Sequence, residues 1–276
     1  MKYAMMTYTL SRQEPGGKPD MEKVCGLARR LGLDAMDQVT LYGYQPADIR
    51  RIADDHGIRI VCYTFDADIN FPDADARRPG LEEIRRGLET ANVLGAPLIM
   101  LPLGGKAPFT RDESRRNVIK GLREAVELGK EARVKVSVEH FSVATAPFIV
   151  SSDVNEALAA VGDLYVTFDD GNVLMGGEDP RDGFLKSKAR IVHTHFKDWI
   201  FAPQGRDGRI GLDGRTYLPA LIGEGLVDYP ALLKTMRDAG YDGYINIEYE
   251  GNDYPADAAV GKALDYLRRV EKSSGV

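Results

Sequence analysis

Short apolar runs, each followed by a stretch of helical periodicity, recur eight times along this 276-residue chain. Strands separated by helices cannot pair as tight hairpins. Each helix carries the chain back to the starting edge, so consecutive strands lie parallel. Eight such units predict a closed parallel (β/α)8 barrel, an architecture that uses about 250 residues as one domain. No shift in composition marks a linker, so residues 1–276 are read as one α/β TIM-barrel domain.

The predicted strands are Tyr3–Thr9, Ala35–Val39, Ile58–Phe65, Pro97–Leu103, Val134–Phe141, Tyr165–Phe168, Arg190–Phe196 and Tyr244–Tyr249. Between them, helices are expected at Asp20–Leu31 and at Pro46–His56, the second ended by Gly57, which suits a left-handed cap. Leu81, Ile84, Leu88 and Ala91 then mark one buried helical face. Thr110 and Glu113 form a capping-box signature that opens a long helix. Further helices are expected at Asp153–Val161, Pro180–Ser187 and Pro230–Ala239, and a last one carries Ala259, Ala263, Leu267 and Val270. The stretch Trp199–Asp228, rich in glycine and charge, reads as a long loop.

Thirty-six Lys and Arg stand against 42 Asp and Glu, a net charge of −6, with no basic cluster. That balance disfavours nucleic acid or an anionic membrane as partner. No apolar run reaches the length of a membrane span, and the polar start reads as a strand, so a cytoplasmic protein is expected. Cys25 and Cys62 belong to no metal-binding spacing and read as buried thiols.

Four of the strand segments end on a hard metal ligand: VSVEHF at Glu139, VTFDDGN at Asp169, IVHTHFKD at His195 and INIEYEG at Glu248. A lone Glu or His at a strand end is most simply a core ion pair or hydrogen bond. Four together, at the carboxyl ends where such barrels keep their chemistry, point to one metal site. The side-chain period of two puts His193, His195 and Lys197 on one face, Asn246, Glu248 and Glu250 on another, and Ser137, Glu139 and Phe141 on a third. Three carboxylates and one imidazole suggest Mn²⁺ first, then Mg²⁺ or Co²⁺. Such an ion acts as a Lewis acid on a carbonyl and stabilises the enediolate left when the adjacent proton departs. Glu139 and Glu248 are the candidate bases, if they flank the substrate.

The chain resembles the xylose isomerase-like barrels, the sugar phosphate isomerase/epimerase group that includes tagatose and psicose 3-epimerases, inosose dehydratase and hydroxypyruvate isomerase. The resemblance runs from LGLDAM to the last helix. It is strongest in VSVEHF, FDDGN, HTHFKDW and IGEGLVDYPALLKTMRDAGYDGYINIEYEG. It implies metal ligands at Glu139, Asp169, His195 and Glu248, and an acid/base pair at Glu139 and Glu248. Asp169 is preferred to Asp170 because the ligand in this family stands three residues before a His or Asn, here Asn172, which often touches substrate. Two ketose-epimerase residues are missing: a glutamate where this chain has Thr145, and an arginine where it has Phe201.

Lys197 is read as a substrate-oxygen or leaving-group contact, or equally as an ion-pair partner. Trp199 is read as a sugar platform or as loop packing. His140 should face away from the site, and His56 fits the carboxyl end of a helix. Gly104, Gly105 and Lys106 resemble a phosphate-cradling turn without the wider motif, and read as a tight loop beneath the substrate. The leading expectation is a metal-dependent sugar isomerase or epimerase. A lyase on the same platform, acting on a keto-sugar or 3-keto-glycoside, is the alternative. An abasic-site nuclease is disfavoured by four histidines in all and by the acidic balance. Related barrels often form dimers or tetramers, so a homo-oligomer is the expected assembly.

Overall fold

The first half of the chain runs β1 (Lys2–Met6), α1 (Thr7–Ser11), α2 (Met21–Arg30), β2 (Ala35–Val39), α3 (Pro46–Asp55), β3 (Arg59–Thr64), α4 (Ala74–Leu94) and β4 (Leu98–Leu101). The second half runs α5 (Arg111–Ala132), β5 (Lys135–Glu139), α6 (Ser151–Ala160), β6 (Leu164–Asp169), α7 (Asp170–Met175), α8 (Pro180–Ser187), β7 (Ile191–Phe196), β8 (Asp198–Phe201), β9 (Arg209–Ile210), β10 (Thr216–Ala220), α9 (Tyr229–Asp238), β11 (Tyr244–Ile247) and α10 (Ala256–Ser273). These elements come from a computed structural model that describes residues 1–273. β1 pairs in parallel with β11 on one side and β2 on the other, which closes the barrel in the order β1-β11-β7-β6-β5-β4-β3-β2. The predicted (β/α)8 architecture is therefore the one formed.

Local chemistry explains the helix boundaries. Thr110 and Glu113 make a complete capping box at the start of α5. Gly57 takes φ +68° just past α3, a conformation that costs glycine little. His56 caps the same helix and pairs with Glu22 at 2.9 Å. Each long helix buries one apolar stripe against the barrel: Ile84, Leu88 and Ala91 on α4, and Ala259, Ala263 and Leu267 on α10, are almost wholly buried. Both cysteines are free thiols in the interior. Among the described residues, no helix is long and apolar enough to cross a membrane.

The structure departs from the sequence reading in three places. β1 ends at Met6, and Thr7–Ser11 turns into helix α1. There the Thr7 hydroxyl accepts the Val39 N–H and the Thr9 hydroxyl accepts the Tyr249 N–H, both at 2.9 Å, so threonines that look strand-forming tie neighbouring strand ends together. Residues Asp170–Met175 form a short helix directly after β6. The supposed loop after β7 contains a three-stranded antiparallel sheet, β8-β10-β9. Trp199 and Tyr217 from that sheet, with Met175 of α7, form its own small apolar cluster.

Candidate metal centre and its cavity

The register of the parallel strands assembles the site. Asp169 of β6 lies beside His195 of β7, and His195 lies beside Asn246 of β11. Glu139 ends β5, and Glu248 follows β11 immediately. Ligating atoms of Glu139, Asp169, His195 and Glu248 all lie within 4.8 Å of one another, and all four residues are buried. Four predicted residues from positions up to 109 apart in sequence (248 − 139) thus converge on one point. In barrel order β5 and β11 are the outer strands of this quartet, with β6 and β7 between them, so the two glutamates stand at its ends.

His195 Nδ1 lies 2.7 Å from Glu139 Oε1 and 3.7 Å from Glu248 Oε2. Its other nitrogen, Nε2, lies 2.9 Å from Asp37 Oδ2. Lys197 Nζ sits 3.0 Å from Asp169 Oδ2, Glu248 Oε2 and Glu250 Oε1 alike. Its hydrogen-bond direction is satisfied at Glu250. Arg209, reaching in from β9, binds the same Glu250 and donates to Ser142 Oγ at 2.9 Å. Of the two readings of Lys197, the ion-pair partner is the one formed, and the residue also lines the cavity.

Burial pulls on every one of these groups, and the neighbours decide the outcome. Burial lifts Asp169 well above the usual carboxylate range, with the charges of Glu139 and Glu248 adding to it and Lys197 opposing. Glu248 is raised for the same first reason. Burial would also raise Glu139, but the charge and contact of His195, then Lys197, hold it below the ordinary value. Burial would lower His195 and Lys197, yet the surrounding carboxylates hold both well above their ordinary values.

Asp169 Oδ2 and Glu248 Oε2 are buried and accept no aligned hydrogen bond, and both share the Lys197 ammonium 3.0 Å away. One ammonium shared among three buried carboxylates leaves them room to take a further cation. The donor set, with three carboxylates and one imidazole, fits Mn²⁺, Mg²⁺ or Co²⁺ and also accommodates zinc.

A cavity of about 500 Å³ opens onto this cluster. Glu139, Asn172, Lys197, Arg209, Glu248 and Glu250 line it, together with Tyr8, Tyr42, Met100 and Phe141. Asn172 donates from its amide to the His140 carbonyl at 2.7 Å, and its Oδ1 is left without a partner. Trp199 stands elsewhere. Its ring is fully buried against Met175 and Tyr217, with the Arg209 guanidinium 5.2 Å from its centre, so it packs the loop sheet and does not line this cavity. His140 points away from the cluster, edge-on to Phe168. Gly104, Gly105 and Lys106 line a separate, smaller cavity, where Lys106 bonds Asp68 at 2.5 Å, and not the space above the ligands.

Sequence reading missed Asp37, although an acid within the strand segment AMDQV was a signal. It also missed Tyr8 and Tyr42, whose positions depend on α1 and on the turn after β2.

The chain is 22% identical over 270 residues to inosose dehydratase of Lacticaseibacillus casei, covering 86% of this chain and 87% of that protein. It is 26% identical over 234 residues to L-ribulose-5-phosphate 3-epimerase UlaE of Escherichia coli, covering 80% and 75%. Its fold superposes on the IOLI protein solved with a zinc atom at a TM-score of 0.78, with 16% identity, covering 99% of this chain and 98% of that one. The family model for the xylose isomerase-like TIM barrel matches residues 25–270, and this chain belongs to that family.

Proposed function

We propose that the protein is a divalent-metal-dependent sugar isomerase or epimerase that works by moving a proton on the carbon beside a carbonyl. One observation carries this reading: Glu139 and Glu248 stand at the two ends of a buried ligand set that opens onto a sugar-sized cavity. Two carboxylates on opposite sides of one carbon allow removal on one face and return on the other. The bound ion, Mn²⁺ in our reading, would supply Lewis-acid stabilisation of the charge that develops on the substrate oxygens.

The remaining roles fall to the chain's own groups. Glu139, held ionised by His195, suits the base that takes the proton. Glu248, whose pKa is raised, suits the acid that returns it. Asn172 Oδ1 is a free acceptor for a substrate hydroxyl. Lys197 is a fixed cation beside Glu248 that can hold a substrate oxygen. Arg209 places a guanidinium at the cavity wall, on a chain whose Phe201 stands where ketose epimerases keep an arginine.

A second reading, a lyase on the same platform, is favoured by Lys197, since a buried ammonium beside the acid pair can assist departure of a β-oxygen. The dehydratase and epimerase relatives are compatible with either outcome. The separating experiment uses Mn²⁺-loaded protein in D₂O with free ketoses, inososes and 3-keto-glycosides, followed by NMR. Deuterium at the carbon beside the carbonyl together with an epimer supports the first reading. An unsaturated product or a released aglycone replaces it with the second.

A further inference from the structure

The ligand histidine is held from behind by a residue of the opposite barrel wall. Asp37 lies on β2, three strands away from β7 in barrel order, and reaches across the interior to it. Its carboxylate is wholly buried. Oδ2 lies 2.9 Å from His195 Nε2, 3.0 Å from His193 Nε2 and 3.4 Å from Asn246 Nδ2, while Oδ1 accepts the Thr64 hydroxyl at 3.3 Å. An ionised carboxylate only accepts, so the imidazole nitrogen facing it must carry the proton. That leaves Nδ1 of His195 as the nitrogen directed at Glu139 and Glu248. The same rule puts a proton on Nδ1 while it faces Glu139 alone, so an ion held by Glu139 and Nδ1 takes the place of that proton.

We propose that Asp37 is a positioning residue for the metal centre: it fixes His195 as the Nε2–H tautomer, so that Nδ1 is the metal-ligating atom. The inference rests on the metal reading of the site. A carboxylate behind a ligating imidazole orients the ring and raises its basicity, and its loss typically weakens metal binding about 10- to 100-fold. His193 stands edge-on to His195, with ring centres 5.3 Å apart, and shares the same Asp37 oxygen, so the two rings cannot exchange places without breaking both bonds.

The test uses Zn²⁺ as a diamagnetic probe on ¹⁵N-histidine-labelled protein, with His195 assigned from His195→Gln. The expected spectrum shows a protonated Nε2 and a zinc-bound Nδ1 on His195. Zinc on Nε2 overturns the proposal whatever any variant does. Titration calorimetry of Asp37→Asn is the second arm, expected to show one ion bound about 10- to 100-fold more weakly. Unchanged affinity overturns it. So does a fall from two bound ions to one, which would make Asp37, with Cys62 and His193, a ligand in its own right. Failure of the unmodified protein to bind any divalent ion would instead defeat the metal reading itself.

Discussion

On one side of His195, Asp37 collects four donors within 3.4 Å; on the other, Asp169 and Glu248 each keep a buried oxygen that accepts no aligned hydrogen bond and shares one ammonium, Lys197. Both clusters are buried, both contain carboxylate and imidazole, and both have the spacing of a metal site. Their electrostatics differ in sign. The bonds from His193 and His195 overcome the burial of Asp37 and hold its pKa at about 2, whereas burial leaves Asp169 well above the carboxylate range. A satisfied cluster specifies structure, and an unsatisfied one stores a preference for a ligand. The difference separates support from chemistry more sharply than burial does.

The largest effect should come from the two glutamates. Glu139→Gln and Glu248→Gln each keep size and a ligating oxygen but remove a base. Turnover of the confirmed substrate should fall roughly 10²- to 10⁴-fold. Solvent deuterium exchange into that substrate should fall with it for whichever glutamate takes the proton first. Normal exchange in both variants would remove the two-base mechanism and leave the comparison without a catalytic side.

Next comes metal linkage. Mn²⁺ at 100 times its Kd should stabilise the fold by about 2.7 kcal/mol. For a chain of this length that is a rise of roughly 5–10 °C in melting temperature. Asp169→Ala should abolish the rise, and EDTA should reverse it in the unmodified protein. His193→Gln belongs to the satisfied side and should lower the melting point of the metal-free protein, at a cost of about 1–3 kcal/mol, while keeping the Mn²⁺-induced rise. Scanning calorimetry with and without metal reads both. If His193→Gln lost the rise while Asp169→Ala kept it, the two clusters would have to change roles.

Legibility in the sequence follows the same division. Glu139, Asp169, His195 and Glu248 were readable because each closes an apolar strand, and because the period of two fixes which face it takes. Asp37 sits in a strand of the same kind, yet its donors His193 and His195 are 156 and 158 residues away, and no local pattern announces them. The sheet built on Trp199, Arg209 and Tyr217 was hidden for another reason. Its strands are short, interrupted by glycines and charges, and stabilised by a small cluster of their own. The barrel is a repeating pattern and reads locally, while the parts that tune the site are single long-range contacts.

Acid should separate the clusters by titration. Asp169 and Glu248 have raised pKa values from burial, and the pKa of His195 is raised by Glu139 and Asp37 against burial, so protons compete with the ion on all three. Metal affinity, followed by calorimetry, should therefore weaken steadily as pH falls from neutral. Asp37 goes the other way. Its folded pKa lies below the unfolded one, so its contribution, about 2 kcal/mol for a shift of this size, is fully present above pH 4 and is lost only as pH falls through about 2. Melting of the metal-free protein between pH 7 and pH 5 should not register Asp37. Metal affinity that stayed flat over that interval would contradict the ligand assignment.

The smallest expected effect tests whether the loop sheet belongs to the site or merely covers it. Arg209 is partly exposed, binds Glu250 and lies over Trp199, so its removal leaves Lys197 with an unshared Glu250 and opens one wall of the cavity. Arg209 is open to water and the buried Glu250 keeps Lys197 as its partner, so Arg209→Ala should shift the melting point by only a few degrees. If Arg209 contacts substrate equally in the ground and transition states, KM should rise several-fold while kcat holds. A matched fall in kcat would mean that the guanidinium acts through Glu250 and Lys197 on the transition state. In that case the charged side of the comparison extends from the ligands to the rim, and the loop sheet is part of the chemistry.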